Sequence, residues 1–359
     1  MNESKSVRVL TKLSFSSLII SIFLLPFVFL PFVAVPLEIA KGFILALGVI
    51  LSFGFWLAAR FVDGSFVFPK SALIVAAFGL PATALLAGIF SPSATLSLFG
   101  TGFETGTFFT ILIFSLLFFL VALYAQDKMR LPRLLGMVVV SFLVALLFQV
   151  AYFFIDLNSF FPRFFLEIGS GSVFGSLNNT SLFIGFGALL LLLSFELLPL
   201  PKWMRGANIL LIILSLFALA VFNYLLAWIM LGVFALVVFV YIMSIERMGG
   251  GSDTKRVKPQ FPILTFLVLL VSSLFILAHS SLGASVANMF GGGFSDVRPS
   301  VAATVDVARS ALSQDPLFGA GPNRFVHEWL MYKPLGINAT QFWDTGFIGG
   351  FGFIPTIII

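Results

Sequence analysis

The chain has 359 residues, of which 60% are hydrophobic and only 10% charged, with a formal net charge of +5 and no cysteine. Soluble domains run at roughly 45–50% apolar and about 25% charged, so this composition excludes a soluble globule and points to a helical, multi-span membrane protein. The missing cysteines exclude disulfides, thiolate metal sites and Cys nucleophiles, and the positive charge reports membrane topology before it reports nucleic acid.

The start, MNESKSVRVLTK, is basic and then apolar, with no small-residue cleavage site after the apolar run. It reads as an uncleaved first span. A crossing helix needs about 20 apolar residues. Spans are expected at Leu13–Val35, Ile39–Ala59, Ser71–Phe90, Gly106–Gln126, Leu134–Asp156, Ser181–Leu200, Ala207–Phe222, Leu225–Ile245 and Phe261–Ala278, with an incomplete one from Gly346. Phe160–Phe165 is expected to dip into the interface. The division at Asn223-Tyr224 rests on length alone, because the apolar run from Ala207 to Ile245 is too long for one crossing. The expected organisation is a transmembrane bundle over 1–278, a large loop over 279–345 and the start of a further helix over 346–359.

With the N-terminus in the cytoplasm, fourteen of the twenty Lys and Arg residues fall inside and six outside. Four of those six, Arg298, Arg309, Arg324 and Lys333, lie in the long loop, and long loops obey the positive-inside rule weakly. The short outside segments hold only Lys41 and Arg163. This division puts the large loop on the periplasmic face. The Arg247–Gln260 segment, with GGGSDTKRVKPQ, reads as a flexible cytoplasmic linker.

The polar mass of the chain is that loop. After the Gly291-Gly292-Gly293 run, Pro299 is placed as a first helical residue, and Val301, Val305, Ala308 and Leu312 give one apolar face at helical spacing. Asp315-Pro316 stops this helix. PLFGAGPN, Pro316 to Asn323, is turn-rich, and Pro322 is placed at the opening of a second helix. There Arg324, His327 and Glu328 share a face. Phe325 and Trp329 form another, suited to the headgroup interface. Arginine grips phosphate through a planar fork with two charge-assisted hydrogen bonds, so a cluster of these residues suits a lipid-linked pyrophosphate. The bland reading is two surface ion pairs, Asp306–Arg309 and Arg324–Glu328.

Smaller signals lie elsewhere. Glu104, among glycines, is placed to face a central cavity. Asn178 and Asn179, at a helix mouth, suit sugar hydroxyls, or else Asn179 or Thr180 caps that helix. Glu196 is a proton-relay carboxylate or a snorkelling one, and His279 is interfacial. No spacing of His, Asp and Glu forms a metal site.

These residues resemble the O-antigen ligase and O-antigen polymerase superfamily, multi-span bacterial envelope glycosyltransferases. The likeness rests on the large loop near the C-terminus and on Arg298 followed by a helix and PLFGAGPNRF, Pro316–Phe325. It rests also on VFGSLNNTSLFIGF, Val173–Phe186, which is similar to the family's Gly-x-x-Asn-x-Asn helix entry. The resemblance implies an all-α GT-C fold in the bacterial inner membrane. It implies transfer of a glycan from undecaprenyl pyrophosphate to an acceptor sugar or lipid, with no cofactor. It places Arg298 on the pyrophosphate leaving group; the reading of the residues adds Arg324 and His327 to catalysis and puts Arg309, Lys333, Asn178, Asn179 and Asp344 on substrate. The family's Arg near the turn at Asn223 is missing, since NYLLAW stands there, and its His before the last helix is missing from INATQFWDTGF. His327 or Asp344 is left as the base. A transporter or flippase of lipid-linked or anionic substrates, and a non-catalytic relative, are the other readings.

If the charge division holds, reporter fusions at Gly250 and Gly292 will give opposite signals. The same signal at both positions would overturn the topology.

Overall fold

A chain that crosses hydrocarbon must pair its backbone polar groups within the crossing segment, and a helix does this unaided. The computed structural model describes residues 4–27, 37–66, 71–102, 104–155, 176–248, 261–290 and 297–357. Among them every regular element is helical. In chain order these are α1 (Lys5–Leu24), α2 (Leu37–Asp63), α3 (Ala72–Phe90), α4 (Ala94–Leu98), α5 (Phe108–Ala125), α6 (Leu131–Phe154) and α7 (Leu177–Leu197). Then come α8 (Lys202–Phe222), α9 (Leu225–Met248), α10 (Ile263–Leu277), α11 (Ala284–Met289), α12 (Val301–Gln314), α13 (Phe325–Tyr332) and α14 (Phe353–Ile357). Eight of the described helices are long and apolar enough to cross a membrane, or nine if α10 and the bent segment after it form one span. This is the architecture of a multi-span membrane protein.

Most expected spans sit on these helices, with different ends. α1 begins at Lys5 and not Leu13, because Ser4 Oγ accepts from Val7 N at 3.2 Å and Lys and Arg are good helix formers. The expected break at Asn223 is present. Asn223 takes the left-handed conformation at φ 51° and its N–H closes α8 on Leu219 O. The chain from Gly346 bends before entering α14 at Phe353, so the helix there starts later than the apolar run. Phe160–Phe165, Gly291-Gly292-Gly293, Asp296 and the Gly249–Gln260 part of the linker lie outside the described residues.

The chain divides into two compact units. One is Met1–Leu135 with Asp296–Ile359, and the other is Gly136–Ser295. The long polar stretch is therefore shared. His279 to Ser295 belongs with the second unit and the rest with the first.

In the first unit, α1, α2 and α5 pack around Leu18, Val49, Phe119 and Leu120. Lipid tails are as apolar as these side chains, so helices here associate through close contact and polar glue. Gly48 supplies the contact, since a Cβ on it would sit 1.5 Å from Ser21 Oγ. Tyr124 supplies the glue. Its hydroxyl donates to Ser14 Oγ at 2.5 Å, and Ser14 Oγ donates to Ser52 O at 2.6 Å, tying α5, α1 and α2 together.

The same unit holds a second, smaller core of Ala303, Val307 and Ala311 from α12 with Phe325 and Trp329 from α13. This corrects the expected faces. Val301 and Val305 are 51% and 44% exposed, and α12 turns its small residues inward. The reason is Trp329, which is fully buried and needs small neighbours across the helix pair. Phe325 and Trp329 are thus core residues and not a headgroup belt. The indole donates to Thr345 O at 3.1 Å, and Phe347 meets the indole edge-on at 5.2 Å. Burying an indole removes about 200 Å² from water, on the order of 5 kcal/mol as an upper value. α12 starts at Val301, not Pro299, because Ser300 Oγ caps Ala303 N at 3.2 Å.

In the second unit, α6 beyond Leu135 packs on α7, where Gly187 lets the Phe142 ring approach. Trp228 of α9 is fully buried and stacks on Phe275 of α10 at 4.5 Å. After α10 the chain bends by 85° through a π-turn at His279–Gly283. Asn223 Nδ2 donates to His279 O at 3.2 Å and holds this turn. Glu196 is likewise engaged, accepting from the buried Thr265 Oγ1 at 2.6 Å.

The Gly187 contact gives a test. A Cβ there would lie 2.1 Å from the Phe142 ring, whereas one on Gly79 meets nothing within 4 Å. Gly187→Leu should cost about 1–3 kcal/mol or more and lower the thermal midpoint in detergent, and Gly79→Leu should not. Equal midpoints for the two variants would refute this packing.

Candidate functional site

The candidate site is built on the turn between α12 and α13. α12 ends at Gln314, as Asp315-Pro316 requires, and Asp315 Oδ1 accepts from Phe318 N at 3.3 Å. Three of the next residues take left-handed conformations, Gly319 at φ 60°, Gly321 at 95° and Asn323 at 63°. Only glycine does this without strain, and Asn tolerates it best among the others. The pattern GAGPN is thus a backbone instruction.

The turn is seated on the ends of α3 and α4. Phe318 stacks on Phe90 at 4.6 Å. Ser97 Oγ donates to Ser91 Oγ at 2.8 Å, and Ser91 Oγ donates to Ala320 O at 2.8 Å. Asn323 Nδ2 donates to Leu96 O at 3.4 Å and to Glu104 Oε2. The Glu104 carboxylate latches the turn in this way, its other oxygen accepting from Thr101 N and Oγ1. Beside the turn an apolar groove of about 360 Å³ runs along α3, lined by Leu80, Ala84, Ala87, Leu312, Leu317 and Pro322 among others.

Arg324 follows directly. It is the residue before α13, which begins at Phe325 and not at Pro322 because Asn323 breaks helical geometry. The guanidinium is half-buried, its Nε is fully covered without a hydrogen-bond partner, and among the described residues no carboxylate pairs with it. Neither expected ion pair, Asp306–Arg309 or Arg324–Glu328, forms. Glu328 is buried and lies 3.0 Å from His327 Nδ1 through its Oε1, while the imidazole is half-exposed. The pair engages Nδ1 and leaves Nε2 out of this contact.

The other expected site residues belong to several elements. Arg298 and Arg309 are exposed, before and on α12, and Asp344 is exposed beyond α13. Lys333 Nζ donates to Trp343 O, so its ammonium has a structural partner. Asn178 and Asn179 belong to the second unit. Asn178 is buried in the first turn of α7. The cap there is Ser176, not Asn179 or Thr180, because Ser176 Oγ accepts from Asn179 N at 3.1 Å. Among the described residues no three His, Asp or Glu side chains gather as metal ligands.

Sequence reading missed the Glu104–Asn323 latch, since 219 residues separate the partners. The left-handed pattern of the turn was the available signal. The chain matches no protein-family model, no curated protein and no solved structure.

Gly321 tests the seating. A Cβ there would lie 2.6 Å from Ser91 Cβ and 3.1 Å from Ala87 O, at a left-handed φ. Gly321→Ala should unseat the turn and speed proteolysis within 316–323. Gly336→Ala, in open space, should leave the cleavage rate unchanged. Matching rates in both variants would sink the seating argument.

Proposed function

We propose that this protein is a glycosyltransferase that moves a glycan from a polyprenyl pyrophosphate carrier to an acceptor hydroxyl on the periplasmic face of a bacterial inner membrane. The observation that carries this reading is Arg324. A half-buried guanidinium with a covered, unpartnered Nε and, among the described residues, no carboxylate paired with it is costly unless an anion completes it. The planar fork suits two oxygens of a phosphate. The resemblance to the O-antigen ligase and polymerase superfamily supports the same assignment, through Arg298 and the PLFGAGPNRF stretch.

In this reading the acceptor oxygen attacks the anomeric carbon of the carrier-linked sugar. The bond from that carbon to the pyrophosphate oxygen breaks, and the leaving group takes the electron pair. Arg324, with Arg298 and Arg309 nearby in sequence, offsets the charge that builds on the pyrophosphate. His327 takes the acceptor proton on Nε2, while Glu328 holds Nδ1 and fixes the ring, the arrangement that orients a base elsewhere. The 85° break after α10 supports a second reading, a carrier with a discontinuous helix.

The full chain reconstituted with undecaprenyl-pyrophosphate-linked oligosaccharide and candidate acceptors should form product. Arg324→Ala should lower the rate by about 10²–10³. Arg324→Lys should also be damaging, because the charge remains but the fork is lost. His327→Ala should cut the rate with little change in carrier affinity. Movement of the carrier across the vesicle without any transfer would favour the second reading. Full transfer by Arg324→Ala would remove the phosphate argument.

A further inference from the structure

The latch on the 315–324 turn does more than hold a loop. Resting on the reading of Arg324 as an anion-binding group, we infer that Glu104 is a positioning residue for it, acting through Asn323. Four observations converge. Asn323 takes a left-handed φ of 63°, a conformation that is strained for most L-residues and is held by local hydrogen bonding where Asn adopts it. Its side chain is what holds it, with Nδ2 shared between Glu104 Oε2 and Leu96 O. Glu104 is itself fixed, since Oε1 accepts from both Thr101 N and Thr101 Oγ1. The surrounding backbone is shaped to this carboxylate. Gly100 is left-handed, and a Cβ on it would lie 2.6 Å from Glu104 Oε2.

The next peptide unit leads to Arg324. Its backbone direction follows from Asn323's φ and ψ, because a residue's dihedrals aim everything after it. If Asn323 relaxes to a right-handed conformation, α13 extends back by a residue and the guanidinium leaves its half-buried seat. Glu104 touches no substrate in this account. It is a half-buried anchor, 220 residues away in sequence from the cation it aims.

The test is a double-mutant cycle on the full chain in detergent, with inorganic pyrophosphate as the probe. Arg324→Ala should abolish measurable binding; if it does not, the anion reading fails before the positioning claim is reached. Arg324→Lys, which retains weak binding, is the background for the cycle. Glu104→Ala should weaken binding about tenfold in the wild-type background and by less than twofold in Arg324→Lys, because a group acting through the fork has nothing left to aim. Asn323→Gly, which keeps the left-handed option but loses the latch, should match Glu104→Ala, and the pair together should lose no more than either alone. Glu104→Asp, with a shorter reach to Asn323, should fall between. If any variant fails to fold, its thermal midpoint will drop, and Asn323→Gly, strain-free at that φ, then carries the test. Equal tenfold losses in both arginine and lysine backgrounds would mean that Glu104 acts independently, and that overturns the inference.

Discussion

Most of this protein is shaped by the absence of water from hydrocarbon. Backbone groups there have no outside partner, so the chain folds into helices before any question of how the helices meet. The same absence removes the usual reason for them to meet, because burying a leucine against a leucine gains little over burying it in lipid. Association then falls to fine contacts. Gly48 against Ser21 and Gly187 against Phe142 are such contacts, and the Tyr124–Ser14–Ser52 chain is the polar counterpart. Each polar atom in that chain is paired, which is what a low-dielectric setting demands.

The segment from Val297 onward follows the opposite rule. Here the helices are shorter and more polar, and a small core forms by burial around one large ring. Trp329 is its centre, covered by α12 through Ala303, Val307 and Ala311 and pinned by Thr345 O. The outward face of α12 keeps Val301 and Val305, so helical periodicity alone named a face that the tryptophan then refused. Phe351 N on Thr304 Oγ1, at 2.9 Å, extends the same small fold toward α14.

Between these two regimes lies the turn from Asp315 to Arg324. It is held to the membrane helices of its unit by a short list of polar contacts, Ser91 on Ala320 and Glu104 on Asn323, and by one ring stack. What emerges from it is a guanidinium that no carboxylate pairs with among the described residues.

The sequence by itself determined the class, the helices and their approximate places, because apolar run length is a local property that bilayer thickness reads directly. It also determined where α12 stops and that Asn223 divides two helices, since Pro and left-handed Asn act on their own backbone. Only the tertiary structure decided the rest. That Phe325 and Trp329 face inward, that Ser176 and not Asn179 caps α7, that Arg324 has no carboxylate while His327 has one, and that Glu104 holds Asn323 all depend on which side chains from distant segments arrive at the same place. Periodicity and spacing carry no information about that, and hydrogen bonds across 219 residues are settled by packing alone.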